Sequence, residues 1–594
     1  MNILGISAFY HDSAAALLRD GELVAAAQEE RFSRIKFDHR YPAASVEYCL
    51  KEAGIEARDL DYVVFYEKPL PKFQRILLTA LHTFPRSWRQ FREAMLAWFG
   101  QKLWVKGDIQ AHFPDLPADK LLFVDHHLSH AASAAFCSPF EEMAVMTLDG
   151  VGEWTSTAVG TVRASWSDGS QNSIELTEEM RFPHSLGLLY SVFTAWLGFK
   201  VNSGEYKVMG MAPYGRPLYR EKLDKIIRLN SDGSFCLNMD YFSYHYSVTE
   251  AYNSKFIALF GPPREPESPF FTTTTGDDIR GREEAAKQNQ YYADVAASLQ
   301  LLVEEAILNM ANHLQRTTGM KKLVMAGGVA LNSVANGRVM RESAFDEVYI
   351  QPNAGDAGGA LGAALYAYHV LLKQPRKHIM THAYYGQGFG PEEELAAIQK
   401  SGLPYQRIED VEKIAGRAVE MILDGKVLAL FQGRFEWGPR ALGNRSIMAD
   451  PRRAEMQEVV NTKIKFRESF RPFAPVVLED RAEEFFELGK AKGQYPQRFM
   501  LMVSPIPEHK HADIPAVCHM GTGRLQTVDR ESNPLYYEIV KQFGQATGVP
   551  ILMNTSLNLR GEPLVTTPEN AFHTFNTSDL DLMILDQFLV TKKA

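Results

Sequence analysis

His126 and His130 stand four residues apart in an alanine-rich run that opens at Asp125. The composition predicts a helix, and on a helix that spacing puts two imidazoles on one face, a turn apart. Two such nitrogens can reach one cation at about 2 Å. A metal needs further ligands, and Asp149 and Asp356 each follow a predicted strand in a Gly-containing turn. Two imidazoles with two carboxylates suit a first-row divalent ion, iron or manganese as well as zinc. His127 is offset around the helix and is read as structural.

A second concentration of chemistry lies further along. Between Arg434 and Arg471 nine Lys or Arg residues (Arg434, Arg440, Arg445, Arg452, Arg453, Lys463, Lys465, Arg467, Arg471) face five acids. The chain as a whole carries a net charge of -9, so this reversal points to an anionic ligand. Gly433, Gly438 and Gly443 punctuate the run, which fits a phosphate cradle better than a solvated helix face.

These groups need elements to hold them. Strands are predicted at Ile3–Ser7, Ala14–Leu18 and Leu23–Ala27, with Asp20-Gly21 as a hairpin turn. A related strand, acidic turn, strand pattern returns at Ala144–Leu148, Asp149-Gly150 and Thr155–Gly160, which suggests an internal duplication of the kind that holds nucleotide between two α/β lobes. A third strand, Leu323–Ala326, runs into Gly327-Gly328 and a helix carrying Asn332 and Asn336. Such a turn lets backbone approach a nucleotide closely. The turn from Asn353 to Gly359 precedes a small-residue helix, Ala360–Tyr366. Composition shifts around 372–392, where a domain boundary is expected. Beyond it a helix is predicted at Glu392–Ser401 and a strand at Lys426–Phe431. The proline- and threonine-rich stretch Gly261–Arg282 reads as an exposed loop.

At 594 residues the chain is too long for one core, so at least two domains are expected. Acidity argues against a nucleic-acid partner. No apolar run reaches signal-peptide or membrane-span length, which predicts a cytoplasmic protein. Cys49, Cys137, Cys236 and Cys518 form no CxxC pair and read as free thiols. The segment Lys72–Lys106 has seven basic residues, one acid and many aromatics. Its aromatics are read first as core; a membrane-surface helix pair and an acceptor-facing wall remain open.

Several long motifs occur in one order. They include Gly5–Ala16, Gln28–Arg34, His126–Ala131, Leu148–Trp154, Asn202–Gly215, Ala326–Asn332, Asn353–Gly358, Glu436–Ser446, Lys465–Pro475 and Asn554–Pro563. In these the chain resembles the O-carbamoyltransferase family of nodulation-factor, tobramycin and saxitoxin biosynthesis, over essentially its whole length. The resemblance implies an α/β protein. Duplicated N-terminal lobes of the actin and sugar-kinase (ASKHA) type, 1–375, would carry carbamoyl transfer. A YrdC-like domain, 385–594, would activate carbamoyl phosphate with Mg-ATP to carbamoyl adenylate.

The resemblance also implies roles for particular residues. His126, His130, Asp149 and Asp356 would hold an iron-type divalent metal, and His11 would serve the acceptor hydroxyl. Arg440, Lys465 and Arg524 would bind the donor, Arg440 and Lys465 as catalytic residues of its activation, with Arg467, Arg471 and Asn554 beside them. Nucleotide would meet Gly204, Lys207, Gly327, Gly328 and Asn332. The acceptor would be a small molecule or sugar, and an oligomer is compatible with all of this. A tRNA threonylcarbamoyl transferase would need a basic RNA face. The hydrogenase-maturation enzyme would add paired CxxC zinc fingers. A non-catalytic ASKHA nucleotide-binding protein would leave the basic cluster without a purpose.

Overall fold

The computed structural model describes residues 1–100, 104–275, 278–468 and 470–593. Five strands form the first sheet: β1 (Asn2–Ser7), β2 (Ala14–Arg19), β3 (Glu22–Gln28), β4 (Tyr62–Phe65) and β5 (Leu121–Phe123). Their spatial order is β3-β2-β1-β4-β5, with β2 antiparallel to β1 and β3, and β4 parallel to β1 and β5. The Asp20-Gly21 turn has φ of 52° and 87°, the left-handed pair that a two-residue hairpin needs.

A second sheet is built from β6 (Glu142–Leu148), β7 (Thr155–Arg163) and β8 (Ser173–Arg181), then β11 (Lys322–Ala326) and β12 (Glu347–Ile350). A small ribbon, β9 (Ile227–Leu229) with β10 (Phe235–Leu237), lies between them in sequence. The order is β8-β7-β6-β11-β12, with the same pattern of strand directions. Strand for strand this repeats the first sheet, so the expected duplication is present in the topology. In each lobe the fifth strand leads into a helix, His126–Ala135 in one and Asp356–Tyr366 in the other. The two helices cross tightly: a Cβ at Gly362 would lie 1.7 Å from the Ser129 carbonyl oxygen. Only glycine permits that approach.

The C-terminal part is a nine-stranded mixed sheet. Its strands are β13 (Tyr405–Arg407), β14 (Leu428–Phe431), β15 (Arg445–Ala449), β16 (Ala474–Leu478), β17 (Met502–Pro505), β18 (Thr522–Val528), β19 (Ile551–Ser556), β20 (Leu582–Leu585) and β21 (Phe588–Thr591). They lie in the order β13-β21-β20-β14-β15-β19-β16-β18-β17. Alternation assigns the two faces. Leu428, Leu430, Met448, Val476 and Leu552 pack under the helices Val411–Leu423 and Pro534–Thr547. Ala429, Phe431, Ile447, Val477 and Met553 point the other way and continue the core of the N-terminal lobes. Arg31 Nη2 to the Gly438 carbonyl (2.6 Å) and His519 Nε2 to the Gly210 carbonyl (2.9 Å) tie this sheet to both lobes. The fold is mixed α/β, as expected.

Two sequence readings change. The stretch 261–282 is not simply exposed, because Phe270, Phe271, Thr272 and Arg264 are buried. Phe270 sits edge-on to Tyr214 and Phe470, which joins the loop to the main core. Residues 276–277 lie outside the described residues. In the segment 72–106 Trp98 is buried, but Phe84, Trp88, Phe99 and Trp104 are exposed, because the helices Pro69–His82 and Trp88–Gly100 pack by their inner faces alone. Residues 101–103 of that segment lie outside the described residues, as does Ser469 of the Lys465–Pro475 motif.

Candidate functional site

The duplication builds the first half of the site. His126 and His130 lie at the start of the helix after β5. Asp356 opens the equivalent helix after β12, and Asp149 follows β6. His126 Nε2 is 3.0 Å from His130 Nε2 and 2.9 Å from Asp149 Oδ2, and Asp356 Oδ1 lies 3.8 and 3.6 Å from the two imidazoles. One ligand atom from each of the four falls within 4.8 Å of the others, and all four residues are buried. Burial and mutual repulsion push the His126 pKa down, but Asp149 and Asp356 more than reverse this. His130, likewise opposed by burial, is raised to about 9 by the same carboxylates. Burial pushes the Asp149 carboxyl up, and the two imidazoles outweigh it, holding it well below the carboxylate range. Two imidazole nitrogens in contact and two converging carboxylates point their donor atoms at one spot. The donor set therefore fits a divalent metal.

The surroundings fix these ligands from outside. Asp149 Oδ1 accepts from the Gly328 amide (3.1 Å). The Glu153 carboxylate accepts from the His126 amide (3.0 and 3.2 Å) and from the Lys68 amide (2.8 Å), capping the helix that carries both histidines. Neither His126 Nδ1 nor His130 Nδ1 has a hydrogen-bond partner among the described residues, so packing rather than an outer carboxylate sets the ring planes. Gly152 supplies some of it: a Cβ there would stand 2.8 Å from His126 Cδ2. His127 is bonded to Thr147 Oγ1 (2.7 Å) and the Thr155 carbonyl (2.9 Å), with its pKa pushed to about 3 mainly by burial. It is structural, as its offset predicts.

His11 lies in the turn after β1, as Asp149 lies in the turn after β6. Its Nδ1 pairs with Asp12 Oδ2 at 3.1 Å and its Nε2 approaches the Asn202 carbonyl at 3.3 Å. Burial lowers its pKa, yet the Asp12 hydrogen bond and charge, with Asp356 behind, raise it to about 9. This differs from an imidazole of ordinary basicity. Asp12 adopts φ 45°, which folds its carboxylate back onto the ring.

A cavity of about 470 Å³ joins this region to the basic cluster. His11, Asp149, Gly328, Asn332 and Asp356 line one part; Arg440, Lys465, Arg467, Arg471, Arg524 and Asn554 line another. Of the nine clustered cations, only Arg440, Lys465, Arg467 and Arg471 reach it. Arg445 is instead fully buried on the Gln432 carbonyl (2.6 Å) and over the Phe431 ring, and Arg452 pairs with Asp450 (2.7 Å). Arg524 joins from β18. Burial lowers its pKa well below the arginine range, and Arg440, Arg467 and Arg471 lower it further. Burial likewise takes Arg440 to about 10.

Lys465 is fixed rather than mobile. Its ammonium is held by the Ser556 carbonyl (2.6 Å), the Asn558 carbonyl (2.8 Å) and Asn558 Oδ1. Asn554 is bound differently. Its Nδ2 donates to the Ala441 carbonyl (3.1 Å) and to Gln526 Oε1 (2.7 Å), and Gln526 Nε2 donates to the Leu442 carbonyl (2.8 Å). Carbonyls can only accept, so this relay fixes the amide orientation. Asn554 Oδ1 is left buried and unpartnered among the described residues, as is Arg440 Nε.

The sequence-assigned nucleotide residues have mixed fates. Gly328 and Lys207 line the cavity, though Lys207 Nζ pairs with Glu468 (3.1 Å) and Glu267 (3.3 Å). Asn332 lines it too while capping the helix Ser333–Glu342. Gly204 and Gly327 are not in its wall; Gly204 starts the helix Glu205–Met211 and Gly327 turns the chain after β11 with φ 93°. The sequence reading missed Asp12, Gln526, Glu153 and Tyr206, whose ring lies 4.9 Å from the Arg471 guanidinium. Asp12, Glu153 and Tyr206 lie inside the quoted motifs, whereas Gln526 sits in β18, outside all of them.

Comparison with known proteins identifies the family. The family model for the carbamoyltransferase N-terminus matches residues 2–365 and that for the carbamoyltransferase C-terminus matches residues 419–592. The chain is 45% identical to the uncharacterized protein sll1178 of Synechocystis sp., covering 100% of this chain and 97% of that one. It is 36% identical to the nodulation protein NolNO of Sinorhizobium fredii, over 98% of this chain and 79% of the relative. Among solved structures, component A of the Acidaminococcus fermentans (R)-2-hydroxyglutaryl-CoA dehydratase aligns over 62% of this chain and 98% of its own, at 15% identity and a TM-score of 0.28. The chain belongs to the carbamoyltransferase family, and it is a transferase.

Proposed function

We propose that the chain makes carbamoyl adenylate from carbamoyl phosphate and ATP, then transfers the carbamoyl group to a hydroxyl of a small molecule or sugar. The observation that carries this reading is the pair of unpartnered buried atoms, Asn554 Oδ1 and Arg440 Nε, set among five cations. Carbamoyl phosphate offers what they lack: an amide that donates to Asn554 Oδ1, and anionic oxygens for Arg440, Arg467, Arg471 and Arg524. In the activation step water cleaves carbamoyl phosphate to carbamate and phosphate. A carbamate oxygen then attacks the α-phosphorus of ATP and pyrophosphate leaves, its charge met by the same arginines. Lys465 acts through position, holding the Ser556–Asn558 loop beside Asn554.

In the transfer step the acceptor oxygen attacks the carbamoyl carbon, AMP leaves, and the acceptor proton must go to a base. His11, with Nδ1 held by Asp12, would take that proton at Nε2 once Nε2 is deprotonated and has left the Asn202 carbonyl. A divalent metal, Fe(II) in this reading, would be held by His126, His130, Asp149 and Asp356 and supply Lewis acidity at the transfer end. The C-terminal part would thus activate and the N-terminal lobes transfer, with one cavity keeping the adenylate from bulk water.

Wild-type protein should release pyrophosphate from ATP only when carbamoyl phosphate is present. His11→Asn should keep that reaction and lose transfer by roughly a hundred- to ten-thousandfold. Pyrophosphate release that ignores carbamoyl phosphate would overturn the assignment of the donor site.

A further inference from the structure

The helices Pro69–His82 and Trp88–Gly100 form a pair whose inner and outer faces are both apolar. On the inner side Phe73 meets Trp98 at 5.3 Å between ring centroids. Buried Lys72 pairs there with Glu67 (2.7 Å), its ammonium 4.2 Å from the Tyr10 ring at the cavity. On the outer side Trp88, Arg92, Leu96 and Phe99 follow one another at i, i+4, i+8 and i+11 and are all exposed, a single stripe along the helix. Leu70 and Leu81 expose the first helix, and Phe84 and Trp104 extend the patch at either end of the second. The seven apolar side chains are 58% to 71% exposed. Isolated exposed leucines are ordinary, but seven such side chains on one helix pair and its flanks, both strongly exposed tryptophans among them, are not.

Charge says what covers it. Arg86, Arg89, Arg92 and Lys106 are exposed around the patch, and Glu93 is the one acid from 72 to 106. The chain as a whole is acidic, so this is a local reversal. A second copy docked by the same face across a two-fold axis would set these cations against themselves. Tryptophan, phenylalanine and leucine framed by arginine and lysine match a bilayer interface, with rings at headgroup depth and cations on anionic lipid. Among the described residues no helix is long and apolar enough to cross a membrane, so contact would be at the surface. We propose that this helix pair is a peripheral docking surface for anionic lipid bilayers.

The test is sedimentation of the full chain with vesicles of phosphatidylglycerol and phosphatidylcholine, and with pure phosphatidylcholine. The expected result is partitioning stronger by roughly tenfold or more on the anionic vesicles, weakened by salt, with a blue shift of tryptophan emission. A Trp88→Ser, Phe99→Ser double variant should lose the partitioning while pyrophosphate release stays at the wild-type rate. An Arg89→Glu, Arg92→Glu variant should lose it too, which covers the case in which the first pair fails to fold. Equal or absent binding to both vesicle types overturns the proposal. So does a lipid-free dimer that the double variant converts to monomer, which would assign the face to a second copy.

Discussion

Arg524 sits in a conflict between stability and binding that can be measured. Its guanidinium reaches the cavity beside Arg440, Arg467 and Arg471, and both burial and these neighbours depress its pKa. A cation whose folded pKa lies below its unfolded value destabilises the folded state wherever it is charged, and the penalty is relieved only as pH rises through the folded pKa. At neutral pH Arg524 therefore costs stability in the empty protein. Burying a polar group without a partner costs about 1–3 kcal/mol. Here the low end applies, about 1 kcal/mol, because the side chain is only half-buried and the cavity admits water. Arg524→Met keeps most of the volume and the aliphatic stem, so the variant should melt about 1 °C higher than wild type without ligand.

An anion reverses the order. Bound at a hundred times its dissociation constant it stabilises wild type by about 2.7 kcal/mol. Losing one charge-assisted contact of about 2 kcal/mol weakens binding roughly thirtyfold. At the same concentration the variant gains only about 0.9 kcal/mol, which leaves it below wild type even with its head start. Thermal melts of both proteins with and without inorganic pyrophosphate would show the curves crossing. If Arg524→Met melts lower in the absence of anion, or gains as much from pyrophosphate as wild type, Arg524 is not a strained cation awaiting an anion and the reasoning fails.

Two further outcomes are expected. Gly152→Ala places a methyl 2.8 Å from His126 Cδ2 and should displace that ring. Metal affinity should fall roughly ten- to a hundredfold, read by elemental analysis after dialysis, with anion binding unchanged. Asp12→Asn removes the group chiefly responsible for raising the His11 pKa to about 9. A base is active when unprotonated, so the rate of carbamoyl transfer in wild type should climb with pH towards about 9, and in the variant its rise should move to lower pH, while pyrophosphate release shows no such shift.

The elements that carry the metal-type cluster were legible because each signal is local. The four-residue spacing of His126 and His130 and the strand-to-turn settings of Asp149 and Asp356 are all sequence-near. Only the convergence needed the fold, and the repeated strand order supplied it. The donor end was less legible for the opposite reason. Nine clustered cations look alike in sequence, yet Phe431 and the Gln432 carbonyl claim Arg445, and the Ser556–Asn558 loop claims Lys465. Arg524 and Asn554 come from β18 and β19, and the spacing of their neighbours does not mark them. The stripe of Trp88, Arg92, Leu96 and Phe99 was visible as a period, but a period does not say which face meets solvent.

Duplication also explains why the two halves of the cleft differ in chemistry. The matched turns and helix starts carry unlike residues: His11 and Asp12 against Asp149 in the turn after the first strand of each lobe, and His126 against Asp356 at the helix after the fifth. A symmetric pair of carboxylates at those helix starts would repel across the crossing that Gly362 makes so close. Unlike residues at matched positions convert that repulsion into a mixed imidazole and carboxylate set. They leave the remaining turn free to present His11 to whatever occupies the cavity.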